Sequence, residues 1–85
     1  MKLNDIEFRF SEGCNTYELI KWSAGYCYVI AFFYRNDEGY DMRTIGERFF
    51  EDRDAWIVGK HALAFLNEIM AEGADGDAKK RIRDS

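Results

Sequence analysis

The segment GYCYVIAFFYR, residues 25–35, is apolar at nearly every position and carries one charge, at Arg35. A strand of a small antiparallel sheet usually alternates, with one face packed on the core and the other in water. A strand that is apolar on both faces therefore predicts that both faces are covered. In a chain of 85 residues the core covers one face, and the second face needs another partner.

Turn residues divide the first fifty residues into four predicted strands. Each break contains a glycine and short polar residues that bond their own backbone, as hairpin turns do. The breaks lie at 11–15, 23–25 and 36–39, and the strands are predicted near 4–10, 16–22, 26–35 and 40–50. Consecutive hairpins give an antiparallel meander of order 1-2-3-4.

A helix is predicted near 53–72, where apolar residues recur at the spacing of one helix face. Asp52 or Asp54 supplies its N-cap and Gly73 its C-terminal stop. We interpret Gly59 as the place where the helix backbone approaches an aromatic ring of the sheet. The apolar stripe contains Ala55, Val58, Gly59, Ala62, Leu63, Phe65, Leu66, Ile69 and Met70, and the opposite side contains Lys60, His61, Ala64, Asn67 and Glu68.

The predicted fold class is therefore α+β, a four-stranded antiparallel meander with one C-terminal helix packed on one face. Residues 1–73 form a single ββββα domain. Residues 74–85 contain one large apolar side chain, Ile82, and are predicted to be a flexible charged tail.

The turns also predict which residues share a sheet face. A three-residue loop at 23–25 pairs Trp22 with Tyr26. A short loop at 36–39 pairs Arg35 with Tyr40, Phe33 with Met42 and Ala31 with Thr44. The face under the helix then carries Ile6, Phe8, Phe10, Tyr17, Leu19, Cys27, Val29, Ala31, Phe33 and Met42, with Glu7 and Arg9 pointing outward. The other face carries Ile20, Trp22, Tyr26, Tyr28, Ile30, Phe32, Tyr34, Arg43, Ile45 and Phe49.

That second face has the composition of a protein interface, with Tyr, Trp and Arg and few lysines. We expect it to contact either a second copy of the chain, as a homodimer, or a different protein, and the two are not exclusive. The C-terminal tail is a further alternative cover for part of this face, but Ile82 is its one large apolar residue. The residues predicted to bind the partner are Trp22, Tyr26, Tyr28, Phe32, Tyr34, Arg43 and Phe49.

Charge is unevenly distributed along the chain. Residues 1–72 carry 8 basic and 13 acidic side chains, a net charge of −5, and residues 73–85 carry 4 and 3, a net charge of +1. An acidic domain disfavours phosphate binding. Two interpretations remain open, ordinary solubility and an acidic surface for a basic partner. In the second, the charge comes from Asp37, Glu38, Asp41, Glu47, Glu51, Asp52 and Asp54.

The residues give no pattern that indicates catalysis, a metal site or a cofactor. One histidine, His61, and two cysteines, Cys14 and Cys27, do not make a four-ligand zinc site, and the cysteines are predicted to be free thiols. The glycines do not form a phosphate-binding loop. No run of residues is apolar enough to span a membrane, and we expect a cytoplasmic protein that is not an enzyme.

Small acidic chains without a catalytic signature are common among phage and mobile-element inhibitors, such as anti-CRISPR and other anti-defence proteins. The hypothesis is a protein-binding module whose acidic surface and open aromatic face block a nucleic-acid-binding partner. The alternatives are a structural homodimer subunit and a weak RNA- or DNA-binding domain. Three strands before a helix near VGKHALAFL, residues 58–66, are similar in layout to half of a double-stranded-RNA-binding domain, but its first helix and lysine cluster are missing.

Overall fold

A five-stranded antiparallel sheet and a C-terminal helix make up the fold in the computed structural model, which describes residues 1–72. The elements are β1 (Lys2–Leu3), β2 (Ile6–Ser11), β3 (Thr16–Ser23), β4 (Tyr26–Asn36), β5 (Gly39–Thr44), α1 (Arg48–Glu51) and α2 (Arg53–Glu72). The strand order is β1-β2-β3-β4-β5, which confirms the α+β meander but with five strands where four were predicted. The predicted stop at Gly73 and the predicted tail at 74–85 lie outside the described residues.

Two element boundaries differ from the prediction. β1 is a two-residue strand that turns into β2 through Asn4, whose φ is 52°, and so short a strand has no periodicity to detect. β5 ends at Thr44, well before residue 50, and Gly46, with a φ of 66°, turns the chain toward the short helix α1.

The hairpin between β3 and β4 is one residue tighter than predicted. Ala24 and Gly25 have φ values of 46° and 87°, the two positive values that a two-residue type I′ turn requires. Ser23 therefore pairs with Tyr26, and Trp22 with Cys27. A one-residue change of register moves each side chain to the opposite face. Tyr26 and Tyr28 thus lie on the helix side of the sheet, and Cys27 and Val29 on the other, the reverse of the prediction.

A β-bulge then returns β4 to the predicted faces. Ile20 pairs with Val29 but Leu19 pairs with Ala31, so Ile30 is the extra residue. Ile30 was predicted on the face away from the helix, but it is buried in the core beside Ala31. Beyond the bulge the predicted pairs are confirmed: Arg35 with Tyr40, Phe33 with Met42 and Ala31 with Thr44.

The core lies between the sheet and α2. Asp52 is the N-cap of α2, because its Oδ1 accepts hydrogen bonds from the N–H groups of Asp54 at 2.9 Å and Ala55 at 3.4 Å. A Cβ added to Gly59 would lie 3.1 Å from Phe49 Cε2. The predicted close approach to an aromatic ring is confirmed, although the ring belongs to α1. The core contains Ile6, Phe8, Tyr17, Leu19, Ile30, Ala31, Phe33, Phe49, Ala55, Val58, Ala62 and Leu66.

Side chains close the outer edge of β5. Asn67 of α2 accepts a hydrogen bond from Tyr40 N–H at 2.8 Å and donates one to Tyr40 O at 3.2 Å, as a neighbouring strand would. Met42 N–H donates to Asp41 Oδ1 at 2.8 Å. Asn67 was predicted on the polar side of the helix, yet it is half-buried against this edge.

Candidate protein-binding surface

Trp22, Phe32, Tyr34 and Arg43 lie on the sheet face opposite the helices, and we call these four residues the open-face patch. Ile20 and Glu18, which lie on this face between Trp22 and Phe32, are buried, so Trp22 stands apart at one end of the patch. The strand neighbours Leu19, Phe33 and Met42 point to the helix side, and side chains alternate along a strand. Phe32 pairs directly with Arg43. Trp22 is 38% exposed and Tyr34 41% exposed. The prediction that these four residues share a face is therefore confirmed.

Three other residues predicted to bind the partner lie elsewhere. Tyr28 is on the helix side, where it packs against the core and the Arg48 guanidinium carbon lies 4.4 Å from its ring centroid. Tyr26 is on the helix side as well, because it pairs with Ser23. Phe49 is buried in α1, since the chain leaves β5 before reaching it. The tight hairpin and the early end of β5 account for all three errors.

Hydrogen bonds orient the two large rings of the open-face patch. Trp22 Nε1 donates to Glu7 Oε1 at 2.8 Å, and Tyr34 Oη donates to Asp41 Oδ2 at 3.4 Å. Aromatic side chains with a bonded polar tip lose little conformational freedom when a partner covers them. The Trp22 ring is therefore held in place and the Tyr34 ring more weakly, while much of the surface of both rings remains in contact with water.

The two arginines of this face differ in their surroundings. Arg9 Nε lies 2.8 Å from Glu18 Oε1, whose side chain is 9% exposed. Partial burial lowers the pKa of Arg9, but the hydrogen bond and charge of Glu18 outweigh burial and raise it above its usual value. Arg43 is exposed and has no carboxylate within ion-pair distance among residues 1–72. Arg43 can therefore offer its guanidinium to a partner.

The predicted acidic residues do not form one continuous patch. Asp37 and Glu38 form the turn before β5, whereas Glu47 and Glu51 follow its other end. A strand rises ~3.3 Å per residue, so β5 separates the two groups by ~20 Å. Asp41 belongs to the first group and borders the open-face patch through its hydrogen bond with Tyr34.

Asp52 and Asp54 hold the start of α2 onto the sheet. Lys21 Nζ lies 2.6 Å from Asp52 Oδ2, and Asn4 Nδ2 donates to Asp54 Oδ2 at 2.8 Å. The hydrogen bond from Lys21 lowers the pKa of Asp52 below its usual value, against the effect of burial. The same contact raises the pKa of Lys21. These two carboxylates therefore have a structural task, unlike the exposed acids at the ends of β5.

Two exposed aromatic residues, Phe50 and Trp56, were not predicted from the sequence as surface residues that could bind a partner. Phe50 is 70% exposed and Trp56 is 54% exposed, with Lys60 Nζ at 5.0 Å from the Trp56 ring centroid. Trp56 could have been found, because it is a large apolar residue that falls outside the helical stripe. Phe50 could not, because it lay within a predicted strand.

Residues 1–72 contain no group of His, Cys, Asp and Glu side chains placed to hold a metal ion. Cys14 and Cys27 are free thiols, and His61 is exposed. Within the same residues, no helix has the length and apolar character needed to cross a membrane. No protein-family model, curated protein or solved structure matches this chain.

Proposed function

We propose that this chain is a small non-enzymatic module that binds another protein through the open-face patch. The observation that carries the proposal is the exposure of Trp22 (38%) and Tyr34 (41%) on the sheet face that neither helix covers. Trp, Tyr and Arg are the residue types most enriched among interface hot spots. The hydrogen bonds that orient the rings of Trp22 and Tyr34 reduce the conformational entropy lost when a partner binds.

Charge favours a basic partner. Residues 1–72 carry 8 basic and 13 acidic side chains, and complementary charge speeds association and excludes like-charged partners. Asp37, Glu38 and Asp41 lie at the end of the open-face patch marked by Tyr34. A nucleic-acid-binding groove is a basic surface of this kind, and we propose that the chain inhibits its partner by blocking such a groove. Under this proposal the chain is an inhibitor of the anti-CRISPR or another anti-defence type.

The two exposed tryptophans allow a matched test. Immobilised wild-type protein, Trp22→Ala and Trp56→Ala are compared for proteins captured from the native host, with quantification by mass spectrometry. Truncating a hot-spot residue costs ~2 kcal/mol or more, a loss of affinity of about thirtyfold. We expect Trp22→Ala to lose a captured partner that Trp56→Ala retains. Equal capture by the two variants would contradict the proposal.

A purified partner then tests inhibition. Adding the wild-type protein should displace labelled nucleic acid from the partner, and Trp22→Ala should displace it far less. Sedimentation equilibrium of the protein alone tests the homodimer alternative. Self-association that Trp22→Ala abolishes, with no captured partner, would replace the inhibitor by a structural homodimer subunit.

A further inference from the structure

β4 is longer than β5, and part of its edge is therefore uncovered. β4 spans Tyr26–Asn36, whereas β5 pairs only with the segment from Ala31 to Asn36. The last backbone hydrogen bond on this side runs from Ile45 N–H to Ile30 O at 2.9 Å. Within residues 1–72, the segment 26–29 has β3 on one side and no strand on the other. We call residues 26–29 the open edge.

The backbone groups of Cys27 and Val29 point away from β3. Trp22 donates its N–H to Asp5 O at 2.8 Å, so the backbone groups of Trp22 point toward β2. Trp22 and its partner Cys27 are therefore a pair without mutual backbone hydrogen bonds, and the N–H and C=O of Cys27 point away from β3. Hydrogen bonding alternates along an antiparallel pair, so Val29, opposite Ile20, also points outward. The open edge therefore presents N–H and C=O groups at two positions in the spacing of a strand.

The edge of β5 is covered by side chains, whereas the open edge is not. At β5, Asn67 and Asp41 fill the positions that a further strand would occupy. Such coverage is a common protection against unwanted pairing. No comparable side-chain bond to the backbone of Cys27 or Val29 occurs within residues 1–72, so an added strand meets no competitor there.

A cleft beside the open edge provides space for side chains. Its volume is ≈ 490 Å³. Tyr26 and Ile45 are 58% and 45% exposed there, so apolar surface remains for an occupant to cover. The lining residues are Tyr26, Tyr28, Val29, Ile45, Gly46, Glu47 and Arg48.

We propose that the open edge binds an extended segment of a partner protein as an added strand, and that this segment contains both basic and apolar residues. Backbone hydrogen bonds to Cys27 and Val29 supply the pairing, and Tyr26 and Ile45 contact apolar side chains. Glu47 and Arg48 offset each other in the lining of the cleft. The net charge of −5 over residues 1–72 therefore carries the charge argument, and it favours a basic segment over a second copy of the same acidic chain. The inference rests on the proposed function only in that the ligand is a protein, and it uses a different surface from the open-face patch.

A synthetic peptide tests the open edge with the full chain. The probe is acetyl-Lys-Val-Lys-Val-Lys-Val-Lys-amide, followed by amide chemical shifts and hydrogen exchange of the isotope-labelled protein. We expect shifts centred on Cys27 and Val29 and about tenfold slower exchange of these two amides, because each gains a hydrogen-bond acceptor. The same peptide N-methylated at every residue should not bind, and the peptide with Glu in place of Lys should bind more weakly.

Variants of the protein separate this surface from the open-face patch. Val29→Pro removes one outward N–H at a position where an edge strand tolerates proline, and it should weaken binding of the peptide about fivefold. Tyr34→Ala should leave peptide binding unchanged even if it abolishes capture of the partner, because Tyr34 lies near the other end of β4 from the open edge. Circular dichroism checks that Val29→Pro folds, and if it does not, the N-methylated peptide decides the question.

Three results would overturn the inference. The first is the absence of any effect at Cys27 and Val29 with millimolar peptide. The second is equal binding of the N-methylated peptide, which would mean that backbone pairing is not involved. The third is protection of these amides that rises with protein concentration in the absence of peptide, which would make a second copy the occupant.

Discussion

Gly39 and Asn67 meet where β5 begins, and each restricts the other. Gly39 has a φ of 137°, a value that residues with a side chain rarely adopt. A Cβ built on Gly39 would overlap Asn67 Oδ1. The same Asn67 oxygen accepts the hydrogen bond from Tyr40 N–H at 2.8 Å. A side chain at residue 39 would therefore both strain the backbone and displace the group that closes the β5 edge.

Gly39→Ala is expected to destabilise the protein by ~1–3 kcal/mol, from backbone strain and the lost Asn67 contact. Gly13→Ala is the matched control, because nothing lies within 4 Å of a Cβ added there. The control should change the free energy of unfolding by no more than ~0.5 kcal/mol. Urea denaturation of both variants makes the measurement. Equal stabilities would show that Asn67 can move aside at little cost.

Asp52 makes stability depend on pH. Its pKa is lowered by the hydrogen bond from Lys21, so its contribution is present above the unfolded-state pKa of ~3.9 and is lost as pH falls through the lower folded-state pKa. Asp52→Asn keeps a capping oxygen but loses the ion pair. We expect it to cost about 1 kcal/mol at neutral pH.

Urea denaturation between neutral pH and acid checks this prediction. The difference between wild type and Asp52→Asn should shrink as pH falls below ~4. Glu68→Gln serves as the control, because Glu68 is exposed on α2 and makes no ion pair within residues 1–72. A difference that stays constant down to strongly acid pH would show that the Lys21 contact does not stabilise the fold.

Among the elements, β4 shows both what the sequence could predict and where prediction had to fail. The β4–β5 register was correct because Gly39 marks the turn. The β3–β4 register was wrong because its turn needs Ala24 at a φ of 46°, which is uncommon outside glycine. In an alternating strand, a slip of one residue would have placed polar groups in the core. β4 is apolar on both faces, so its pattern could not reveal the slip.

On β4, the prediction of the candidate site was correct only beyond the bulge, where the error in the hairpin register and the missed bulge cancelled each other. The bulge at Ile30 reverses the shift made by the hairpin, so Phe32 and Tyr34 lie on the predicted face while Tyr26 and Tyr28 do not. A single extra residue in a strand of uniform composition leaves no trace in the sequence. The open edge was not predictable either, since it depends on β5 ending at Thr44.

The corrected faces predict an order of stability for three truncations. Leu66→Ala should lower the free energy of unfolding by ~2–5 kcal/mol, because Leu66 is fully buried in α2. Tyr28→Ala should cost less, ~1–3 kcal/mol, because Tyr28 is half-buried on the helix side. Tyr34→Ala should cost under ~1 kcal/mol, since Tyr34 is 41% exposed. Urea denaturation gives the three values, and a larger loss for Tyr34→Ala than for Tyr28→Ala would contradict the assignment of faces.

Over the whole molecule, β4 links the core to both proposed binding surfaces. Its helix side buries Ile30, Ala31 and Phe33. Beyond the bulge its other side presents Phe32 and Tyr34, and before the bulge its edge presents Cys27 and Val29. Different residues of the apolar strand β4 therefore pack in the core, belong to the open-face patch and form the open edge.

The net charge of −5 over residues 1–72 predicts that this part of the chain does not bind duplex nucleic acid. Fluorescence anisotropy of labelled DNA and RNA duplexes at low salt should stay constant as the protein is added. The matched control is the chain ending at residue 73, which lacks the basic residues Lys79, Lys80, Arg81 and Arg83. Binding that the shorter chain loses would assign nucleic-acid affinity to the C-terminal residues, and binding that it keeps would exclude an acidic competitor. Affinity for a basic protein partner should instead fall as salt rises, because charges are screened beyond ~10 Å at 0.1 M ionic strength.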